Sequence, residues 1–162
     1  MLFRSLSAAA GIELNHVPYK GGPDILKGVL AGDLAFSLTG LPPALPLIRQ
    51  GRIVALAYGS LRRSPALPGV PTFAESGVAE LKGFEAVAWF GLLAPGATPK
   101  ALVDKIAIDA SKVINMPEFN EKYVTGVGME VLDTSPAQTA ALLDADRETY
   151  RSRLKSLNVK LD

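Results

Sequence analysis

Hydrophobic positions along this chain shift between the spacing of a helix and the alternation of a strand. From Leu2 to Ala10 apolar residues recur at helical spacing, which predicts a short helix. Residues 12–17 then alternate between apolar and polar side chains and predict a strand that stops at Pro18. A helix over 23–31, begun by a proline and closed by Gly32, completes a strand, a turn and a helix.

The alternation of strand and helix continues as far as residue 60. Residues 33–40 predict a second strand, 42–51 a helix that begins at two prolines, and 52–60 a third strand rich in β-branched and aliphatic residues. Repeated units of strand and helix imply parallel strands joined by right-handed crossovers. We therefore expect an α/β fold with a parallel sheet.

The second half of the chain has a different pattern. A proline-stiffened loop over 61–77 ends with a short helix begun by Thr72. The apolar stretch 84–95 predicts a strand that is buried on both faces or that crosses between two lobes. From Thr98, the expected N-cap, with Pro99 as the first helical residue, the chain becomes mainly helical. The remaining predicted elements are helices over 98–115, 117–126 and 136–157 and a strand over 128–133. Thr134 or Ser135 is the predicted N-cap of the last helix.

Composition and charge exclude several classes of function. The 162 residues suffice for one core or two small ones, and 48% hydrophobic with 20% charged residues are typical of a globular protein. Lys and Arg total 17 against 16 Asp and Glu, without a long run of one sign, so we expect no nucleic acid or membrane surface as a partner. The lack of cysteine excludes disulfides and thiolate metal sites, and it leaves the compartment open. No stretch approaches the ~20 apolar residues that span a bilayer.

Two glycine turns, each between a predicted strand and a predicted helix, are the candidate binding positions. One contains Lys20, Gly21 and Gly22, and the other contains Thr39 and Gly40. Backbone N–H groups at a helix N-terminus attract anions, and glycine lets a ligand approach the backbone closely. The alternatives are that the glycines only form the bend and that Thr39 only caps the following turn.

Residues elsewhere favour structural roles. Trp89 and Phe90 lie in the apolar stretch 84–95, where packing in the core or between lobes is favoured over stacking on a ligand. In the proline-rich loop, the adjacent Arg62 and Arg63 are interpreted as a solvated pair. Glu75 is expected to anchor that loop by hydrogen bonds to backbone amides.

The sequence contains no recognisable catalytic motif. The zinc-protease pattern HExxH and the nucleophile elbow GxSxG are absent. His16, the only histidine, has neither metal-ligand spacing nor triad partners around it, so we interpret it as structural. One enzymatic alternative, an α/β enzyme acting on an acyl or phosphoryl group, has only the Lys20 turn in its favour. We expect no cofactor and no metal.

Three sequence blocks, in this order and separation, resemble one family. VPYKG begins at Val17, RSPALPGVPTFAESG at Arg63 and WFGLLAPGATP at Trp89. Together they resemble the Bug (TctC-like) substrate-binding proteins of tripartite tricarboxylate transporters, along nearly the whole chain. The resemblance implies a type II periplasmic-binding-protein fold, in which two α/β lobes close on a small organic carboxylate. It also implies a periplasmic location and delivery of the ligand to membrane permease subunits, without catalysis.

The resemblance also implies which residues face the ligand. Such proteins hold carboxylates through backbone amides, hydroxyl groups and ordered waters more than through arginine pairs. Carried over block by block, the candidate ligand-binding residues are Tyr19, Lys20, Gly21, Gly22, Thr39, Gly40, Trp89 and Phe90.

The chain departs from the family pattern in its extent. Residues 1–78 would form the second lobe without its first strand, 79–97 the crossover strand, and 98–162 the C-terminal helical part of the first lobe. The expected fold is therefore type II periplasmic-binding-protein-like, with one near-complete lobe plus the C-terminal part of the other. Its last helices would leave apolar faces uncovered, so we expect a homo-oligomer. The alternative is a truncated homologue that oligomerises without binding a transport substrate.

Overall fold

The computed structural model describes residues 2–156, which form helices joined by turns and irregular segments. The α-helices are α1 (Leu2–Ala10), α2 (Gly22–Ala31), α3 (Leu41–Arg49), α4 (Lys100–Ile114), α5 (Pro117–Tyr123) and α6 (Pro136–Ser156). Short 3-10 turns span Phe73–Glu75, Ala79–Leu81 and Thr125–Val127. The predicted helices are confirmed within these residues. The predicted end of the last helix at residue 157 and the tail over 158–162 lie outside the described residues.

Glycines end the early helices as the sequence predicts. Gly32 has a φ of 82° and donates its N–H to the carbonyls of Gly28 and Val29. Gly51 has a φ of 67° and donates its N–H to the Ile48 carbonyl at 3.0 Å. Glycine adopts this left-handed conformation at little cost, which is why it so often stops a helix.

The start of α4 corrects the prediction by one residue. Pro99 is the N-cap rather than the first helical residue, with φ −55° and ψ 136°, and no side chain caps the helix. The expected Thr98 cap was therefore wrong. The Pro99 carbonyl accepts the N–H groups of Leu102 and Val103 at 2.9 and 3.1 Å. Since the ψ of Pro99 lies in the extended region, the helical conformation begins only at Lys100.

The predicted strands do not pair with one another in a β-ladder anywhere in residues 2–156. One isolated parallel bridge links Tyr58 to Thr72. A single hydrogen bond runs from the Ala86 N–H to the Gly59 carbonyl at 2.8 Å. The expected parallel sheet among these segments was wrong, because a strand needs a hydrogen-bonded neighbour and the segments do not supply one to each other.

Apolar side chains in two of these segments remain outside any core. Val54 is 80% exposed and Leu56 72% exposed, although the sequence pattern predicts a strand there. In the later segment, Phe90 is 82% exposed. Such side chains are typical of strands whose faces no packing layer covers.

The structure divides into two compact units. The first unit comprises the chain up to Ala88 together with Val127–Met129, and the second comprises Trp89–Gly126 and the chain from Glu130 onward. The division after Ala88 falls inside the predicted crossover strand 79–97. The assignment of the units to particular lobes stays a prediction.

The first unit has a small buried cluster around its 3-10 turns. Leu6, Leu81 and Phe84 are buried together, and the ring of Phe73 meets that of Phe84 edge to face with centroids 5.2 Å apart. The centroid of the exposed His16 ring lies 5.5 Å from that of the Phe3 ring, on α1. The structural role expected for the histidine stays a prediction.

Helices α2 and α3 bury a second set of side chains in the same unit. Leu26 and Leu45 are buried there. Gly128 lies against α3, because a Cβ at this position would be 2.7 Å from Cδ2 of Leu41 and 3.2 Å from Cδ2 of Leu45. The φ of Gly128 is also positive, at 81°, so both space and conformation require glycine here.

The second unit is built from α4, α5 and α6. Asp133 has a positive φ of 41°, and its carboxylate accepts hydrogen bonds from the Ser111 hydroxyl of α4 at 2.6 Å and from the side-chain amide of Asn115, the C-cap of α4, at 3.2 Å. Of the two predicted caps of α6, Ser135 fills the role. Its hydroxyl accepts the Gln138 N–H at 3.3 Å, and the Gln138 side chain accepts the Ser135 N–H at 2.9 Å.

The proline-rich loop is held by Glu75, as predicted. The Glu75 carboxylate accepts the Thr72 N–H at 2.8 Å, and the Thr72 hydroxyl accepts the Glu75 N–H at 3.3 Å, which is a capping box. The interpretation of Arg63 as merely solvated was wrong. Its guanidinium donates to both Glu75 oxygens, at 3.1 and 2.9 Å, and to the Pro68 carbonyl at 3.1 Å.

Candidate ligand-binding site

The two predicted glycine turns lie next to each other in the first unit. A Cβ placed on Gly22 would be 3.0 Å from the Thr39 hydroxyl oxygen and 3.5 Å from Cγ of Pro43. The first helical residue of α2 therefore touches the residue that precedes the N-cap of α3. The structure brings together the two turns that the sequence predicted, and their role in binding stays a prediction.

The start of α2 presents backbone donors that no side chain caps. Its N-cap, Gly21, makes no side-chain capping bond, and the Gly21 carbonyl accepts the Ile25 N–H at 3.1 Å. Pro23 has no N–H, so the orphan donors of the first turn are the amides of Gly22 and Asp24. These amides point along the positive end of the helix dipole, where an anion is stabilised.

The start of α3 is likewise without a side-chain cap. Gly40 is its N-cap, with φ −63° and ψ 148°, and makes no side-chain capping bond. The alternative in which Thr39 only caps this helix was therefore wrong. Because Pro42 and Pro43 lack N–H groups, Leu41 supplies the orphan amide of this first turn. The Thr39 hydroxyl is left beside Gly22, where it can donate to a ligand.

The two glycines of the first turn differ in how much space surrounds them. Gly21 has φ 171° and ψ 172°, an extended conformation that any residue adopts, and a Cβ there would meet only Cδ of Pro23, at 4.0 Å. Gly22 is limited by space, since its Cβ would press on Thr39. Of the two glycines, Gly22 is therefore the one whose backbone another residue, Thr39, approaches closely.

Charged residues near the start of α2 are exposed. Lys20 lies at the surface, and Asp24 in the first helical turn pairs with Lys27 at 2.9 Å. The pair offsets part of the negative charge that Asp24 would place near an incoming anion. Lys20, by its position, adds positive charge at the turn.

Tyr19 packs along α2. A Cβ at Gly28 would be 2.7 Å from the Tyr19 hydroxyl oxygen, so the phenol ring lies against the helix at this buried glycine. Together with Lys20, Lys27 and Asp33, Tyr19 lines an open depression on the surface of the first unit. The phenol thus borders the turn and is held by the helix that the turn begins.

Trp89 and Phe90 belong to the second unit and differ from each other in exposure. The Trp89 ring is half-buried, and its Nε1 donates to the Asp146 carboxylate at 2.6 Å. Phe90 is exposed. The sequence did not indicate Asp146, because no local pattern marks a partner that lies 57 residues away on α6.

Residues 2–156 contain neither a metal cluster nor a membrane-spanning helix. Within this part of the chain, no group of three His, Cys, Asp or Glu side chains is placed to hold a metal ion. Among the helices of the same residues, none combines the length and apolar character needed to cross a bilayer.

Comparison with protein families gives a match along almost the whole chain. The model of the family described as tripartite tricarboxylate transporter family receptor (TctC) matches residues 2–159.

Curated relatives agree with that match. Protein BugT of Bordetella pertussis is 40% identical over 151 residues, which cover 93% of this chain and 45% of BugT. A UPF0065 protein from the tcbD-tcbE intergenic region of Pseudomonas sp. is 33% identical over 146 residues, covering 90% of this chain and 43% of that protein. A second UPF0065 protein, from the clcB-clcD intergenic region of Pseudomonas knackmussii, is 33% identical over 123 residues, covering 76% and 71%.

Solved structures confirm the fold class. The R. palustris protein Rpa4515, solved with adipate, superposes with a TM-score of 0.86 and 27% identity over 97% of this chain and 51% of that one. The periplasmic binding protein BugD gives a TM-score of 0.84 and 30% identity over 98% and 52%. MatC of Rhodopseudomonas palustris, with bound malate, gives 0.74 and 26% over 96% and 51%. The chain spans about half the length of these structures, so its fold is that of part of a periplasmic binding protein.

Proposed function

Because the chain belongs to the tripartite tricarboxylate transporter receptor family, we propose that it is a solute-binding receptor for a small organic carboxylate. The family and its solved neighbours are binding proteins, not enzymes. Two of those neighbours were solved with the dicarboxylates adipate and malate, which sets the chemical class of the ligand proposed for this chain.

The observation that carries the proposal is the contact between Gly22 and Thr39. It places two uncapped helix starts, α2 and α3, side by side around one hydroxyl group. A carboxylate there would accept hydrogen bonds from the amides of Gly22 and Leu41 and from the Thr39 hydroxyl. Hydrogen bonds to an ionised group are roughly twice as strong as neutral ones, so a few such donors suffice without an arginine.

The remaining parts of the proposed function follow from the family. We propose delivery of the bound carboxylate to membrane permease subunits and a periplasmic location, because receptors of this kind act outside the inner membrane. The neighbour BugD is itself described as a periplasmic binding protein.

Isothermal titration calorimetry against a panel of carboxylates tests the proposal. The panel contains adipate, malate, citrate, an amino acid and an aromatic acid, with a matched neutral diol as the control. Saturable heat with at least one acid and none with the diol is the expected result. Silence across all of the acids would contradict a carboxylate receptor.

The substitution Gly22→Ala tests the site itself. Its Cβ would press on the Thr39 hydroxyl at 3.0 Å and displace one donor, so we expect affinity for the bound acid to fall about tenfold. The control is Gly69→Ala, because Gly69 has nothing within 4 Å of an added Cβ and no positive φ. Equal affinity of the two variants and the original protein would place the ligand elsewhere.

A second candidate function is assembly without transport-substrate binding. The observation that favours it is the set of exposed apolar side chains in segments predicted as strands, among them Val54, Leu56 and Phe90. These surfaces suit pairing with another copy of the chain. A calorimetric null together with a concentration-dependent mass in light scattering would favour this function over the first.

A further inference from the structure

The indole of Trp89 is fixed by two contacts within the second unit. Its Nε1 donates a hydrogen bond to Oδ2 of Asp146, on α6, at 2.6 Å. A Cβ placed on Gly91 would lie 2.9 Å from Cζ3 of the indole, so the far edge of the ring rests close to the Gly91 backbone. The ring is half-buried, whereas the adjacent Phe90 is exposed. Trp89 is therefore the anchored residue of the segment that it begins.

Asp146 differs in its bonding from the neighbouring acidic residues of α6. Asp144 pairs with Arg147 at 2.5 Å, and Glu148 pairs with Arg151, each three residues along the same exposed face. Local exposed pairs of this kind contribute little to stability. Asp146 instead accepts a bond from a residue 57 positions away, between two side chains that are both partly buried. A hydrogen bond to an ionised carboxylate in such surroundings is short and comparatively strong.

We propose that Asp146 is a positioning residue for the segment Trp89–Gly91, which contains two of the predicted ligand-binding residues, acting through its hydrogen bond to the Trp89 indole. The inference rests on the proposed function, because it gives Asp146 a part in carboxylate binding without contact to the ligand. Without the acceptor, a half-buried indole N–H loses its partner and the ring is free to leave its rotamer. The backbone that presents Phe90 and Gly91 then loses its tie to α6.

Tryptophan fluorescence of the ligand-free protein gives a direct readout, because Trp89 is the only tryptophan in the chain. We expect Asp146→Ala to move the emission to longer wavelength and to raise acrylamide quenching, since the ring becomes more exposed to water. Asp146→Asn retains a side-chain oxygen as acceptor and is expected to stay near the original spectrum. The matched control, Asp144→Ala, removes an acid from the exposed face and is expected to leave the spectrum unchanged.

Calorimetry with adipate and malate as probes measures the effect on binding. We expect Asp146→Ala to weaken binding of whichever acid binds the original protein by about tenfold, the loss typical of one charge-assisted hydrogen bond. Asp146→Asn should recover most of the affinity, and Asp144→Ala should match the original. In a Trp89→Phe background, which already lacks the indole donor, Asp146→Ala should cause no further loss.

The outcomes separate this inference from the proposed function. An unchanged spectrum in Asp146→Ala, or a changed spectrum with unchanged affinity, overturns the positioning role. If the original protein binds none of the acids, the proposed function fails, and the spectra alone decide whether Asp146 positions Trp89. If Asp146→Ala does not fold by circular dichroism, Gly91→Ala replaces it. That variant pushes the ring edge directly, and an unchanged spectrum and affinity would again overturn the inference.

Discussion

At the scale of single residues, Glu75 shows how an exposed side chain can organise a loop. Its carboxylate accepts bonds from the Arg63 guanidinium and the Thr72 N–H, and these bonds, that of Arg63 above all, hold the pKa of Glu75 below its ordinary value. A carboxyl group whose pKa is lower in the folded than in the unfolded chain stabilises the fold above its unfolded pKa. That contribution is lost as the pH falls through the folded pKa.

The lowered pKa of Glu75 predicts how the stability of Glu75→Gln, relative to that of the original protein, changes with pH. We expect the variant to melt at a lower temperature than the original protein at pH 7, because the ion pair with Arg63 is lost. The difference should shrink as the pH falls below the ordinary pKa of 4.5, where the original protein also loses the charge. Circular dichroism melts between pH 7 and pH 3 measure it, with the exposed Glu80→Gln as the control. A difference that stays constant over this range would contradict the argument.

Gly28 is the residue where packing opposes helix propensity. Alanine in a helix interior is favoured over glycine by about 1 kcal/mol, whereas forcing extra volume into a packed position costs about 1–3 kcal/mol. A Cβ on Gly28 would be 2.7 Å from the Tyr19 hydroxyl and 3.2 Å from Cδ1 of Leu34. We therefore expect Gly28→Ala to lower the free energy of unfolding by about 1 kcal/mol in urea titrations. Gly83→Ala, with nothing within 4 Å of the added Cβ, is the matched control, and a stabilised Gly28→Ala would contradict this contact.

At the scale of elements, α6 depends on one capping box at its start. The Ser135 hydroxyl accepts the Gln138 N–H, and the Gln138 side chain accepts the Ser135 N–H. Ser135→Ala removes the first of these bonds, and we expect the free energy of unfolding of the second unit to fall by about 1 kcal/mol. Ser152→Ala, at an exposed position near the C-terminal end of the same helix, is the control and should be neutral or slightly stabilising. Equal stability of both variants would show that the box does not hold the helix start.

The glycine helix stops and the Thr72 cap were predictable because they depend on local chemistry. Gly32 and Gly51 stop their helices through a positive φ, and the Thr72 capping box forms between residues three apart in the sequence. The pairing of strands was not predictable. Alternation in 52–60 indicates a strand, but the neighbour of a strand is set by tertiary contacts that no local pattern records.

Some features of the candidate site could likewise be predicted from the sequence, and others could not. The turns at Gly22 and Thr39 could be found from the glycines before each predicted helix, because helix starts have a sequence signature. Their mutual contact could be expected only from the rule that strand ends gather at one edge of a sheet. The bond between Trp89 and Asp146 had no sequence signature, since it joins residues 57 positions apart that no local pattern links.

At the scale of the whole molecule, exposed apolar side chains dominate the unpaired segments. Val54 and Leu56 point into solvent at alternate positions of a segment with the composition of a buried strand. Exposed apolar surface with unpaired backbone groups beside it is the usual template for association. This observation supports the proposed self-association of the chain.

Multi-angle light scattering tests that association. We expect the original protein at micromolar concentration to show a mass above that of one chain. The double variant Val54→Lys with Leu56→Lys should shift toward the mass of one chain, because charges on an edge oppose pairing. The control is Gln50→Lys with Ser152→Lys, which adds the same two charges at exposed polar positions. A monomer in the original protein would contradict the proposal.

The return of Val127–Met129 to the first unit gives the backbone three passages between the units, after Ala88, Gly126 and Met129. Cleavage by a protease after Ala88 would therefore sever only one of them. The fragment up to Ala88 would remain docked through the fit of Gly128 against Leu41 and Leu45. A nicked molecule should thus co-elute as one species in native buffer and fall into two pieces only in denaturant.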